Sequence, residues 1–198
     1  MEEKRIIFLK GSKVILRPLN KETDLESACR WVNDPEVRNY LTVSFPSMLV
    51  QEEKWFDNLV KKENEILLAI ETLENKNLIG FMGLHKINWI DSNATTGAMI
   101  GEKEYWGKGY GTDAKMILLN YAFNRLRLHR ISSSVIAFNE RSLKYSLKCG
   151  YKEEGRVREK FFRNGKYWDE ILLGILKKEF DPVWKKYKLE NKIKESEE

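Results

Sequence analysis

Within Tyr105-Trp106-Gly107-Lys108-Gly109-Tyr110-Gly111-Thr112-Asp113-Ala114, glycine alternates with larger residues and one lysine stands among them. Glycine lets a backbone turn tightly and aim successive N–H groups at one point. A helix is predicted from about Gly111, and its unpaired amides and positive dipole end add to the same pole. Lys108 supplies a full charge there. Such a loop is a cradle for a diphosphate.

Two nucleotide readings fail on spacing. Gly109-Tyr110-Gly111-Thr112-Asp113-Ala114 matches G-x-G-x-x-G/A, but the polar run Glu102-Lys103-Glu104-Tyr105 separates it from the preceding apolar run. About twenty residues on, where an acidic ribose ligand belongs, the chain reads Leu128-His129-Arg130-Ile131. A Walker loop needs Gly-Lys-Ser/Thr, and Lys108 is followed by Gly109. The loop instead resembles the acetyl-CoA loop of the GNAT superfamily of N-acetyltransferases, Arg/Gln-x-x-Gly-x-Gly/Ala between a strand and a helix. Gly109 and Gly111 take the glycine positions. Trp106 stands where Arg or Gln is usual, as in the branch similar to the RimJ/RimL enzymes that acetylate ribosomal-protein N-termini. The Asn139 segment and Trp31-x-Asn33-Asp34-Pro35 carry the resemblance from Val14 to about Trp184.

That resemblance implies acetyl-CoA as acetyl donor, held by Trp106, Gly107, Lys108, Gly109, Tyr110, Gly111 and Thr112. Met99, Ile100 and Gly101 would pair with pantetheine like an added strand, with Gly101 marking a bulge. Asn139 and Ser142 would touch the cofactor, although Asn is also a preferred N-cap. Many relatives place a tyrosine seven residues after this Asn to protonate the leaving thiolate. Here Ser146 holds that position, and Tyr145 lies about 100° away around a helix. Ser146 is therefore the expected hydrogen-bond donor, and Tyr145 is expected to be dispensable. Some relatives carry a basic Glu four residues before the Met99 position, where this chain has Thr95. His85 and Glu102 remain as candidate bases, with Asp91 behind them. Trp31, Asn33 and Tyr40 are candidate acceptor contacts, with packing and capping as the competing reading. No metal is expected, because two histidines and two cysteines show no ligand spacing.

These residues need a frame. Val14–Leu19 reads as a first strand, and Leu25, Ala28, Cys29 and Val32 recur at helical spacing until Asp34-Pro35 interrupts. Ser47 is the expected cap of a helix reaching about Lys62. Strands are predicted over 65–71, 78–90 and 95–102, and the helix after the loop shows Ala114, Ile117, Leu118, Tyr121, Ala122 and Leu126 on one face. A strand at 129–138 and a helix at 139–148 follow, the latter stopped by Gly150 in a left-handed conformation. Asn164-Gly165 closes a hairpin. The implied fold is α/β (α+β): a mixed, mostly antiparallel, splayed sheet of about seven strands with helices on both faces. Residues 1–184 form one domain, and 185–198 are expected as a charged tail, frayed or disordered.

The chain has 198 residues, 42% of them hydrophobic, enough for one good core. No apolar stretch approaches a membrane span and the N-terminus leads into no signal-peptide core, so a cytoplasmic protein without a membrane partner is expected. Cys29 and Cys149 read as free thiols. The net charge of +5 is spread among 35 basic and 30 acidic residues. No basic block with interleaved aromatics suggests a specific nucleic-acid partner. The expected reaction is direct attack of a primary amine on acetyl-CoA in a ternary complex, in a monomer or homodimer. A protein N-terminal α-amine leads as acceptor. The alternatives are a small-molecule amine (polyamine, aminoglycoside or amino-sugar) and a CoA-binding regulatory module without catalysis.

Overall fold

The computed structural model describes residues 6–42 and 45–193. Among them an eight-stranded sheet runs in the order β1-β2-β3-β4-β5-β6-β8-β7. The strands are β1 (Leu9–Lys10), β2 (Val14–Pro18), β3 (Ile66–Thr72), β4 (Leu78–Asn88), β5 (Asn93–Ile100), β6 (Arg130–Ile136), β7 (Lys152–Arg163) and β8 (Lys166–Leu176). The strand beyond the expected seven is β1, only two residues long. Every neighbouring pair is antiparallel except β5 and β6, which run parallel.

That parallel pair is the feature the site depends on. It is registered only over Asn93–Thr95 against Arg130–Ser132. Beyond it, β5 stays paired with β4 as far as Ile100, and β6 stays paired with β8 as far as Ile136. Two intact half-sheets therefore diverge from Thr96 and Ser133, and the backbone groups they would have exchanged face a V-shaped gap. The predicted splay is present.

Helices cover both faces. α1 (Lys21–Asn33) begins at Asn20, whose side chain accepts from Glu22 N, and ends where Asp34-Pro35 starts the short α2 (Pro35–Arg38). α3 (Leu49–Leu59) starts at Met48 and not at the expected Ser47, whose Oγ is taken by Glu52 at 2.5 Å. α1 and α3 bury Ala28, Trp31 and Phe56 against Ala69 and Phe81. On the opposite face α4 (Tyr110–Asn120), α5 (Glu140–Lys148) and α6 (Lys177–Asn191) enclose the larger core around Met82, Leu84, Leu118, Phe123 and Phe180. Asp113 to Leu119 are all buried, because α4 lies between the sheet, α5 and α6. Polar residues in that run must find partners inside the protein.

The turn predictions hold locally: Asn164 and Gly165 have φ of +54° and +79°, and Gly150 has φ +96° after α5. The C-terminus differs. α6 crosses the expected boundary at 184/185, and Tyr187 reaches back to bond Asp113. Residues 185–191 are thus an ordered part of the fold, and the rest of the expected tail beyond 193 lies outside the described residues.

Candidate active site

Gly107 and Gly109 adopt φ of +73° and +88°, left-handed values that favour glycine, and a Cβ at Gly107 would meet nothing within 4 Å. The chain thereby curls around an open point directly before α4, whose first amides are free of intrahelical partners. Gly111 sits inside the helix, where a Cβ would make only ordinary contact with Ile100. These features fit the diphosphate of an acetyl-CoA donor: backbone donors, a helix N-terminus and room for approach.

The loop is held from behind by Asp113. Its carboxylate accepts from the backbone N–H of Ser12, Lys13 and Val14 at 3.0, 2.8 and 2.9 Å and from Ser12 Oγ at 2.8 Å. Tyr187 O–H donates to it as well. A buried carboxylate with this many donors ties the N-terminal strand, α4 and α6 to one point. Lys13 Nζ adds a bond to the Lys108 carbonyl at 2.9 Å, fixing the loop itself.

From the loop a cavity of about 850 Å³ runs along the V between β5 and β6. One wall is Thr96 to Ile100, the other Ser133 to Ile136, and α5 contributes Asn139, Ser142 and Tyr145. At the apex of the V, Lys115 is almost fully buried and donates to Thr96 Oγ1 at 3.0 Å. Thr96 Oγ1 in turn lies 2.8 Å from the Tyr151 hydroxyl. Val37, Tyr40, Leu41, Thr42, Phe161 and Glu170 line the same cavity. Arg163 Nη2 donates to Leu41 O at 3.1 Å, so the β7–β8 hairpin is pinned to the segment after α2. Glu170 is buried, accepts from Ser134 Oγ at 2.8 Å and meets Lys160 Nζ at 2.5 Å.

The residues singled out from sequence divide into two groups. Met99, Ile100, Trp106, Gly107, Gly109, Gly111, Thr112, Asn139, Ser142 and Tyr40 all line the cavity. Asn139 is also the N-cap of α5, accepting from Ser142 N at 3.1 Å. Trp106 donates to Ile100 O at 2.7 Å, and the Arg141 guanidinium lies 3.8 Å from its ring and 5.0 Å from that of Tyr40.

The second group does not line it. Gly101 is pressed against the Trp31 indole, where a Cβ would come within 2.0 Å. Trp31 is core and donates to Glu102 at 3.0 Å; Asn33 bonds both the N–H and the C=O of Ser47. Tyr110 stacks edgewise on Tyr105, and Lys108 offers its carbonyl to Lys13. His85 Nδ1 faces Glu65 at 3.5 Å. Glu102 is paired with Arg30, whose hydrogen bond, opposed by burial and joined by Trp31, holds the carboxyl below its usual range. Ser146 is buried in the helix interior with no partner for Oγ among the described residues. Tyr145, set aside on helical phase, has the cavity-facing position.

Sequence reasoning missed Lys115, Arg141, Ser134 and Glu170. Lys115 and Glu170 carried a signal, a charged residue within an otherwise apolar run (Lys115 before Met116-Ile117-Leu118-Leu119, Glu170 before Ile171-Leu172-Leu173). Arg141 and Ser134 carried none. Among the described residues no helix is long and apolar enough to cross a membrane, and no three His, Cys, Asp or Glu gather as metal ligands would.

Comparison with known proteins gives this geometry a context. The acetyltransferase (GNAT) domain family matches residues 13–152. The spermidine N(1)-acetyltransferase of Vibrio cholerae is 29% identical over 170 residues, covering 86% of this chain and 96% of the relative. A crystal structure of spermidine N-acetyltransferase from the same organism, in complex with CoA and spermine, superposes with a TM-score of 0.79 over 85% of this chain and 98% of the other. YdaF of Bacillus subtilis, provisionally named a ribosomal N-acetyltransferase, is 33% identical but matches only 55% of this chain and 59% of its own length. The RimJ/RimL branch is therefore not singled out, and the expected preference for a protein N-terminus loses its main support to the polyamine alternative.

Proposed function

We propose, from the premise that this chain belongs to the GNAT acetyltransferase family, that it acetylates a primary amine of a small polyamine of the spermidine type. The chain is an acetyl-CoA-dependent N-acetyltransferase. Acetyl-CoA supplies an activated acetyl group, and this chain's own residues bind it and shape the acceptor's approach. The Gly107–Gly109 turn and the α4 N-terminus receive the diphosphate. The unpaired edge of β5 from Met99 to Ile100 offers amides to pantetheine and to the acetyl carbonyl.

The observation that carries the polyamine reading is Glu170. It is a buried carboxylate lining the same cavity as Tyr40 and Phe161. Carboxylate and aromatic faces are what an alkyl chain bearing ammonium groups requires. In this structure the Lys160 ammonium, an alkylammonium like the acceptor's own, bonds one oxygen of Glu170. Its side chain is half exposed, so an acceptor entering from solvent can take its place. Spermidine is also the acceptor named for the Vibrio cholerae relative.

The test is a competition assay read by mass spectrometry with acetyl-CoA, spermidine, spermine and peptides bearing free N-termini. Acetyl label is expected on the polyamines. Label on peptide N-termini, with none on polyamines, would refute the assignment.

A further inference from the structure

Lys115 is the one nearly fully buried lysine that meets the cavity among the described residues, at 1% exposure. Its ammonium donates to Thr96 Oγ1 at 3.0 Å and lies 5.1 Å and 5.2 Å from the ring centroids of Tyr145 and Tyr151. The Cys149 thiol is the remaining titratable neighbour, at the end of α5. No carboxylate pairs with the ammonium among the described residues. Burial is the largest influence on it and works against its charge, opposed by the phenol oxygens of Tyr145 and Tyr151 and by a hydrogen bond to Tyr145. Burial pushes Tyr151 and Cys149 up to about 12, so both stay neutral at physiological pH. What remains is one full positive charge among neutral groups at the apex of the V.

Such an arrangement is costly for a resting protein. A buried ammonium normally finds an anion, and replacing it with an apolar group of similar volume is often neutral or stabilising. The balance makes sense if the anion arrives with the reaction. Acyl transfer from a thioester produces one: the sulfur that leaves carries the electron pair of the broken bond. Tyr145 lines the cavity beside the ammonium, together with Thr96 and Ser133, past which β5 and β6 are no longer paired.

We propose that Lys115 is a positioning residue for the leaving group, holding the Tyr145 hydroxyl toward the cavity apex and balancing the charge of the departing sulfur. The acceptor nitrogen forms its bond to the acetyl carbon, and the carbon–sulfur bond breaks with its pair left on sulfur. Tyr145 O–H donates a hydrogen bond to that sulfur, with the Lys115 ammonium behind it. The proton shed by the nitrogen returns through solvent to the sulfur, leaving amide and neutral thiol. This division of labour uses a neighbour of Ser146 in place of a tyrosine at that position. It rests on acetyl-CoA as donor and is independent of which amine accepts.

The test titrates the thiol of CoA bound to the protein without any acceptor, following thiolate absorbance. A free thiol has a pKa of about 8.5; the bound thiol is expected to be at least tenfold more acidic. In Lys115→Met, which keeps volume and removes charge, and in Tyr145→Phe, it should return toward the free value. Acetyl transfer should then fall at least tenfold in kcat with little change in KM for acetyl-CoA. Thermal melting of Lys115→Met should be unchanged or higher, and desulfo-CoA affinity should match the native protein's. A native complex in which the bound thiol titrates like free CoA overturns the proposal on its own, without any variant. Unchanged kcat and thiol titration in Lys115→Met does the same, as does a fall in melting temperature with the thiol unmoved. Failure of CoA to bind at all overturns both this inference and the donor assignment, whereas CoA binding with an unshifted thiol overturns only this inference.

Discussion

Asp113 and Lys115 are two residues apart on one helix, both are buried and both are charged, yet their surroundings are opposite. Asp113 accepts from three backbone amides and two hydroxyls drawn from the N-terminal strand and α6. Lys115 has hydroxyls and rings for neighbours. The first charge is compensated within the fold and does structural work; the second is left for something that is not part of the fold. Alternate faces of α4 thus separate holding the cofactor loop from acting on what the loop holds. Burial alone does not distinguish the two roles; the inventory of partners does.

The comparison is broken most forcefully at Asp113. Asp113→Ala leaves three backbone donors and the Tyr187 hydroxyl without their acceptor, while Ser12 Oγ keeps Asn191 Oδ1, and about 3–5 kcal/mol of stability should be lost. Equilibrium urea denaturation measures it. If Asp113→Ala were as harmless as Lys115→Met is expected to be, the division between the two charges would be wrong.

The loop that Asp113 holds gives the next largest effect. Gly109→Val places a branched side chain at φ +88°, where strain and not space is limiting, since the nearest atom to a Cβ is Lys13 Nζ at 3.7 Å. Strain of about 1–2 kcal/mol and loss of the cradle should weaken acetyl-CoA binding by at least about tenfold. Gly111→Ala, in regular helix with only ordinary contact to Ile100, should bind acetyl-CoA nearly normally. Calorimetry on the pair separates a need for left-handed backbone from a need for small size; equal losses would favour size.

At the cavity's far wall, Glu170→Gln removes the charge but keeps the shape and the acceptor oxygen for Ser134. KM for spermidine should rise about tenfold, near 1.4 kcal/mol, with acetyl-CoA affinity intact. Steady-state kinetics with both substrates varied decides it. An unchanged spermidine KM would leave Glu170 as a structural partner of Lys160 and Ser134.

The cofactor half was legible because its chemistry is carried by backbone. Alternating glycines before an apolar-periodic helix state where amides converge, and Gly107 and Gly109 do turn left-handed there. The pairing of β7 with β8 followed from the turn signal Asn164-Gly165. The acceptor half is made of side chains that the fold collects: Tyr40 and Glu170 line one cavity 130 residues apart in sequence, and no local pattern announces it. Glu102 and His85 were proposed as bases by residue type, but their neighbours Arg30 and Glu65 come from other elements and tie them outside the cavity. Gly101 was read as a bulge, and its N–H and that of Glu102 do both donate to Ile79 O; what the sequence did not announce is that it also seats the Trp31 indole, 70 residues away in the chain. α6 was underestimated because its charged sequence hides the inward Tyr187, whose partner Asp113 is also remote.

The smallest expected effect tests the phase of α5, where helix geometry and family position disagree. Counting from Asn139 puts Ser146 at the position of a proton donor, and the same count sends Tyr145 about 100° aside. The helix is rotated so that Tyr145 faces the cavity while Ser146 points into the protein, 1% exposed and without a bonded partner for Oγ among the described residues. A buried hydroxyl without a partner is a mild liability, since desolvation is not repaid by a bond. Ser146→Ala should therefore leave acetyl transfer unchanged and be neutral or stabilising by up to about 1 kcal/mol, while Tyr145→Phe lowers turnover. Chemical denaturation and initial rates on the two variants suffice. If Ser146→Ala slowed turnover and Tyr145→Phe did not, α5 would be rotated the other way in the working enzyme. Lys115 would then be a structural charge after all, and its contrast with Asp113 would collapse.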